Sequence, residues 1–194
     1  MKNFFNQKQL PPRALYEQNY KISRMNLLIV TAITVINLIL LITNSNSYFL
    51  FSAFIPYFIA GTGMMLCGHF PEDYYTDDLA GMTFLDDSFF VITLLIAIVL
   101  TLLYLLAWVM SSKNRVGWLI FALVLFGLDT LGMFLINGLA LADILDLLFH
   151  AWVIYYLVTG IIALNKLKVL PLEEQAVPTE TVSAPSTSGD NQQK

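Results

Sequence analysis

The chain has one cysteine and few charged residues, and both shortages restrict what it can be. Cys67 is the single cysteine, which excludes an intramolecular disulfide and a metal site built from several thiolates. Charged residues make up 12% of the 194 residues, whereas soluble domains carry about a quarter. Because 57% of the residues are hydrophobic, a soluble fold would expose a very large apolar surface. The composition therefore predicts a membrane protein.

The hydrophobic residues are concentrated in long blocks, which indicate membrane helices. A bilayer core about 30 Å thick requires about 20 residues of apolar helix. Five segments meet or approach this length: 25–42, 48–66, 88–110, 116–136 and one within 141–164. The predicted fold is all-α, a polytopic transmembrane helical bundle with five membrane segments that contacts the lipid bilayer.

Polar segments flank the transmembrane domain, which we place at residues 25–168. Residues 1–24 form a leader in which Arg13 to Arg24 fits an amphipathic helix lying on the membrane surface. The leader is long, and residues 43–47 do not resemble a cleavage site, so the first block predicts an uncleaved anchor. Residues 169–194 are rich in Glu, Pro, Ser and Thr, a composition that predicts a disordered tail.

The basic residues give conflicting signals about topology. Lys and Arg collect in cytoplasmic loops, and here they occupy the leader, the loop 111–115 and the pair Lys166 and Lys168. The basic leader predicts a multi-pass protein of the cell membrane with its N-terminus in the cytoplasm. Five full crossings cannot place all three basic regions on that side, because an odd number separates the two termini.

Two topologies are therefore open. In the first, all five segments cross and the weaker charge signals are overridden. In the second, segment 48–66 dips into the membrane and returns, which Pro56, Gly61 and Gly63 favour if protein covers the irregular backbone. Proline and glycine are also common in ordinary membrane helices. The apolar length of the segment gives the five-crossing topology a small preference.

Acidic and histidine residues in the last two segments form the candidate functional site. Asp129 lies in the fourth segment, and Asp143, Asp146 and His150 share one face of the fifth, within an arc of about 60° at 100° per residue. The dipeptide Asn137-Gly138 predicts the hairpin turn between the segments. Asp129 and Asp146 are then expected at similar depth.

This cluster has a functional and a structural interpretation. An ionised carboxylate at the bilayer centre costs at least about 2.5–3.5 kcal/mol, so such groups often mark a proton relay or an ion site. If the fifth helix begins near Leu147, however, Asp143 and Asp146 lie among the headgroups. Asp129 and His150 would then bond to each other, or to Thr130, and hold the helices together. The structural interpretation is favoured.

Other polar groups carry less weight. Cys67, His69, Glu72 and Asp73 follow the second segment, but their spacing fits no structural zinc site, and a solvated loop explains them. Asp86 and Asp87 precede the third segment, where acids cap a helix.

The sequence contains no phosphate loop, nucleotide fingerprint, HExxH or GxSxG motif. No cofactor, resident metal or nucleic-acid partner is therefore predicted.

These observations leave two main classes of function. The first is a small non-enzymatic membrane protein that acts as a subunit, scaffold or accessory factor of a membrane-protein partner or as a homo-oligomer. The small residues Ala60, Gly61 and Gly63 would let a neighbouring helix approach closely. The alternative is a small transporter or channel that handles protons or cations at Asp129, Asp146 and His150.

Overall fold

A computed structural model describes residues 12–76, 79, 81–138 and 144–170, and the described chain is all-helical. Its α-helices are α1 (Pro12–Ile42), α2 (Phe54–Leu66), α3 (Asp87–Ser111), α4 (Val116–Asn137) and α5 (Ile144–Val169). Four of them are long and apolar enough to cross a membrane, and α2, with 13 residues, is shorter. The predicted all-α class with five apolar segments is confirmed. The predicted tail, from residue 171 onwards, lies outside the described residues.

Helix α1 joins two segments that the sequence analysis separated. The expected surface helix from Arg13 to Arg24 continues into the first span without a break. No glycine or proline follows Pro12 within α1, so nothing in the sequence interrupts its hydrogen-bond ladder. Arg13 also donates from Nη1 to the carbonyl of Leu170 at 3.0 Å, which ties the start of α1 to the end of α5.

One end of the bundle collects basic residues and is called the basic end below. Here the start of α1, the 111–115 loop and the end of α5 meet. Arg24 donates from Nε to Ser111 Oγ at 3.1 Å and lies 5.7 Å from the Trp108 ring centroid. The hydroxyl of Tyr20 donates to the carbonyl of Ser111. The three basic regions of the sequence therefore lie at the same end of the bundle.

The opposite end, called the acidic end, joins the end of α1, the end of α2 and the start of α3. Asn44 donates from Nδ2 to the carbonyl of His69 at 3.0 Å, which connects the chain leaving α1 with the chain leaving α2. The backbone N–H of Leu85 donates to the carbonyl of Leu66 at 2.8 Å. The segment between α1 and α3 thus enters and leaves the bundle at the same end. The described residues of this segment form an irregular stretch and the short helix α2, and not a fifth long helix.

Close helix packing relies on glycine at two contacts. A Cβ on Gly160 of α5 would lie 2.3 Å from Ser23 Oγ of α1, and a Cβ on Gly63 of α2 would lie 1.9 Å from Thr93 Oγ1 of α3. Real Cβ atoms do not approach so closely, so only glycine permits these backbones to come together. Gly63, one residue of the small-residue patch of α2, therefore packs against α3 of the same chain.

Candidate functional site

The stretch before α2 lacks helical hydrogen bonds, and Asn37 of α1 replaces them. Its Nδ2 donates to the carbonyl of Phe49 at 2.7 Å and to Ser52 Oγ at 2.9 Å, while its Oδ1 accepts from the Phe49 N–H at 2.9 Å. One amide thus satisfies both backbone groups of Phe49. Asn37, Ser52 and Ala53 are buried, so protein covers the part of this irregular backbone next to α2, whereas Tyr48, Phe49 and Leu50 are exposed.

The first turn of α2 has its free N–H groups satisfied by other helices. A helix starts with four N–H groups that have no partner inside it, and here they belong to residues 53–56. Ala53 N–H donates to Thr34 Oγ1 of α1 at 2.8 Å. Phe54 and Ile55 donate to the two carboxylate oxygens of Asp129 on α4, at 2.9 and 2.8 Å.

Pro56 is the last of these four residues and has no N–H that needs a partner. Proline has no N–H, so it removes the fourth orphan donor instead of leaving it buried. Pro56 therefore suits a helix that begins inside a protein, and it does not kink α2. Asp129 acts as an N-cap supplied from a different helix, and its negative charge faces the positive end of the α2 dipole.

The start of α2 lies deep in the bundle. Thr34 and Asp129 are each eight residues before the end of their own helices, at Ile42 and Asn137. Eight residues of helix correspond to about 12 Å, or about two turns. Gly132, one turn after Asp129, leaves room for this approach, because a Cβ there would lie 2.9 Å from Ile55 Cδ1.

His150 of α5 is the third donor at the Asp129 carboxylate. Its Nε2 lies 3.2 Å from Asp129 Oδ2, and its Nδ1 lies 2.8 Å from the carbonyl of Asp146 one turn earlier. A carbonyl oxygen can only accept, so Nδ1 carries a hydrogen. An unprotonated Nε2 would direct its lone pair towards the carboxylate oxygen, and the two would repel each other. One proton therefore lies between Nε2 and Oδ2.

That proton gives the pair no net charge whichever partner holds it. Asp129 and His150 are 1% and 2% exposed, so an unbalanced charge there would be strongly disfavoured. The same carboxylate accepts the two backbone N–H bonds from the first turn of α2. Phe126 stacks on the imidazole at 4.9 Å and 18°, and Tyr104 packs against Phe126. Aromatic rings thus help to enclose the pair.

The four candidate residues have different positions in the structure. Asp129 and His150 contact each other directly. Asp146 is half-buried and joins the site through its backbone carbonyl. Asp143 lies outside the described residues, as does the rest of the segment 139–143 that follows Gly138. Thr130 donates its hydroxyl to the carbonyl of Phe126 within α4, and not to Asp129.

The second group of polar residues does not converge on one point. Cys67 Sγ donates to the carbonyl of Asp86 at 3.4 Å, and His69 Nε2 lies 3.3 Å from Asp87 Oδ1. These contacts join the end of α2 to the start of α3. Within the part of the chain that the structure describes, no group of three His, Cys, Asp or Glu side chains is arranged to hold a metal ion.

Sequence reasoning missed the polar residues of α1. Thr31, Thr34 and Asn37 recur every third residue in an otherwise apolar span, and all three are buried. This spacing was the available signal, because polar residues on one side of a membrane helix indicate a polar partner. The partner itself, an irregular backbone before α2, leaves no pattern in the sequence of α1.

The four long apolar helices indicate that this chain is an α-helical membrane protein. No known protein family matches the chain, and neither a curated protein nor a solved structure is detectably similar to it.

Proposed function

We propose that this protein is a non-enzymatic membrane subunit or accessory factor that acts by associating with other membrane helices. The observation that supports this function is the use of the buried polar groups. Thr34, Asn37, Asp129 and His150 all bond to one another or to the backbone around α2. Their chemistry stabilises an unusual fold and needs no substrate.

Helix α3 is the surface on which we propose that association occurs. It is the least covered of the four long helices. In its most apolar stretch of 18 residues, 22% of the stretch is buried, against 28–39% in the other three helices. Leu95 and Leu102 lie one above the other, seven residues apart, and are 56% and 52% exposed. A single helix of a partner protein, or of a second copy, could cover this stripe.

Photo-crosslinking in native membranes tests the proposed association. A photoreactive residue at position 95 or 102 is expected to give a discrete crosslinked band, whose mass separates a second copy from another protein. The matched control is position 162 on α5, since Ile162 is equally exposed, at 52%. Diffuse labelling of lipid from all three positions would contradict the proposal.

We further propose that the basic end of the bundle faces the cytoplasm of the cell and that α2 is re-entrant. Lys and Arg favour the cytoplasmic side, and the four long helices bring every basic region of the described chain to the same end.

Single cysteines at positions 114 and 46, in a chain in which Cys67 is replaced, test this topology. An impermeant reagent should label position 46 in intact cells and leave position 114 unlabelled. Labelling at position 114 would contradict the orientation.

One observation supports proton handling as a second candidate function. The proton shared by Asp129 and His150 lies at the buried start of α2, where its loss would leave an uncompensated charge. Proteoliposomes with an acid-loaded lumen test this function. Proton efflux that is abolished by Asp129→Asn and retained in Thr130→Val would establish it, and equal rates in liposomes with and without the protein would exclude it.

A further inference from the structure

The acidic end contains an open cleft that the proposed association does not use. Its volume is about 830 Å³, and it lies between the 44–48 loop, the exposed side of α2 and the turn at residues 70–74. Clefts of about 300–1,000 Å³ are the usual size of small-molecule sites. The cleft is therefore large enough for a headgroup and the first part of an acyl chain.

The lining of this cleft changes from polar to apolar. Its outer part carries the hydroxyl and amide groups of Ser45, Asn46 and Ser47, all exposed, and its inner part is formed by Leu41 and Met65. An amphiphile with a polar head and an apolar chain matches this gradient. A small polar solute would leave the inner part unfilled.

Charge and aromatic rings select the kind of headgroup. Asp73 is the one charged side chain among the described residues that line the cleft. Two aromatic pairs accompany it: Tyr48 with Tyr57, whose ring centroids are 5.0 Å apart, and Phe70 with Tyr74, at 4.4 Å. Aromatic faces and a carboxylate attract ammonium groups. Since no Lys or Arg is among the described residues that line the cleft, an anionic headgroup would find no counter-charge on them.

We propose that this cleft binds a zwitterionic phospholipid. The ammonium group of the lipid lies near Asp73 and the aromatic rings, and the phosphate accepts hydrogen bonds from Asn46 and Ser47. The acyl chain follows the inner part of the cleft past Gly61, which has no side chain to obstruct it. This inference goes beyond the proposed subunit function and does not depend on it.

Substitution at Gly61 tests the site with little risk to the fold. A Cβ at Gly61 would meet only Leu41 carbons at 3.9 Å, an ordinary contact, so a larger side chain there extends into the cleft. Gly127 of α4 is the matched control, because a Cβ there meets nothing within 4 Å. Gly61→Leu and Gly127→Leu thus make the same change inside and outside the cleft.

The measurement is native mass spectrometry of the full chain in detergent with added lipid. Phosphatidylcholine is expected to bind at least about tenfold more tightly than phosphatidylglycerol with the same acyl chains, a difference of about 1.4 kcal/mol. Gly61→Leu should abolish this binding, and Gly127→Leu should retain it. Asp73→Asn, at an exposed position, should keep the fold and remove the preference between the two lipids. Equal binding of both lipids to the unaltered chain, or unchanged binding in Gly61→Leu, would overturn the proposal.

Discussion

Helices α2 and α3 both begin with backbone N–H groups that have no carbonyl partner in their own helix. At α3 the partner is local, because Asp86 at the N-cap accepts from Ser88 N–H at 2.9 Å, two residues away. At α2 the partners are Asp129 and Thr34, separated from it by 74–75 and 19 residues. The N-cap residue of α2, Ala53, has no side chain that could accept.

The surroundings explain this difference. The start of α3 is exposed at the acidic end, where water satisfies any N–H that a side chain leaves free. The start of α2 lies about two turns deep, where an unpaired N–H would cost about 1–3 kcal/mol. A helix that begins inside the bundle therefore depends on acceptors that other helices bring to it. Folding of α2 is expected to follow docking of α1 against α4 and α5.

The largest predicted effect is the loss of the α2 cap. Asp129→Leu removes the acceptor of two N–H groups and of His150, and we expect the free energy of unfolding to fall by about 3–5 kcal/mol, as for removal of one partner of a buried ion pair. Asp129→Asn should also destabilise, because both oxygens accept and an amide must point its NH₂ at one donor. Chemical unfolding in detergent measures these changes.

Thr130→Val provides the control for this substitution. Thr130 is the neighbour of Asp129, and its hydroxyl donates to the carbonyl of Phe126 on its own helix. Removing its hydroxyl should change the free energy of unfolding by less than about 1 kcal/mol. Equal effects of the two substitutions would show that α2 does not depend on a cap from α4.

The comparison of the two helices also explains which features of the fold the sequence predicts. The cap of α3 was predictable, since Asp86 and Ser88 are close in the chain and capping is a local interaction. The bounds of α3 and α4 followed from apolar length and differ from expectation by one residue at most. These features depend on neighbours in sequence, and sequence patterns record them well.

The site at α2 was only partly predictable. The contact between Asp129 and His150 was one of the two bonds that the sequence analysis allowed for Asp129, whereas the Asn137-Gly138 turn placed Asp129 level with Asp146. The two shorter bonds of Asp129, from the N–H groups of Phe54 and Ile55, were missed because backbone N–H groups are the same in every sequence. Segment 48–66 was read as a full helix because its composition is apolar, whereas its first six residues form irregular backbone.

A second prediction concerns the contact that holds α2 against α3. Gly63→Ala places a Cβ 1.9 Å from Thr93 Oγ1 and 2.9 Å from Thr93 Cβ. Because helix backbones must separate to relieve this clash, we expect a loss of about 1–3 kcal/mol in the free energy of unfolding. Gly127→Ala, in open space on α4, should be neutral or slightly stabilising. Partial recovery in the double variant Gly63→Ala, Thr93→Ala would locate the clash at this pair.

A third prediction separates the His150 contact from the backbone contacts of Asp129. In a double-mutant cycle of Asp129→Leu and His150→Leu, we expect a coupling energy of about 0.5–3 kcal/mol. His150→Leu alone should cost less than Asp129→Leu, because Asp129 keeps its two N–H donors. Strictly additive effects in the cycle would mean that the imidazole and the carboxylate do not interact. A cycle of His150 with Thr130 should show no coupling.

The smallest effect is predicted at the local cap of α3. The hydrogen bonds from Ser88 hold the pKa of Asp86 below its usual value of about 3.9. A carboxylate with a lowered pKa in the folded protein contributes stability above about pH 4, and that contribution is lost as the pH falls through the lowered pKa. Asp86→Ala should therefore destabilise slightly at pH 7, far less than Asp129→Leu, and the difference from the unaltered chain should shrink as the pH falls through the lowered pKa. Thermal unfolding of both chains across this pH range provides the measurement. A loss at Asp86 as large as the loss at Asp129 would remove the distinction between a cap exposed to water and a cap buried in the bundle.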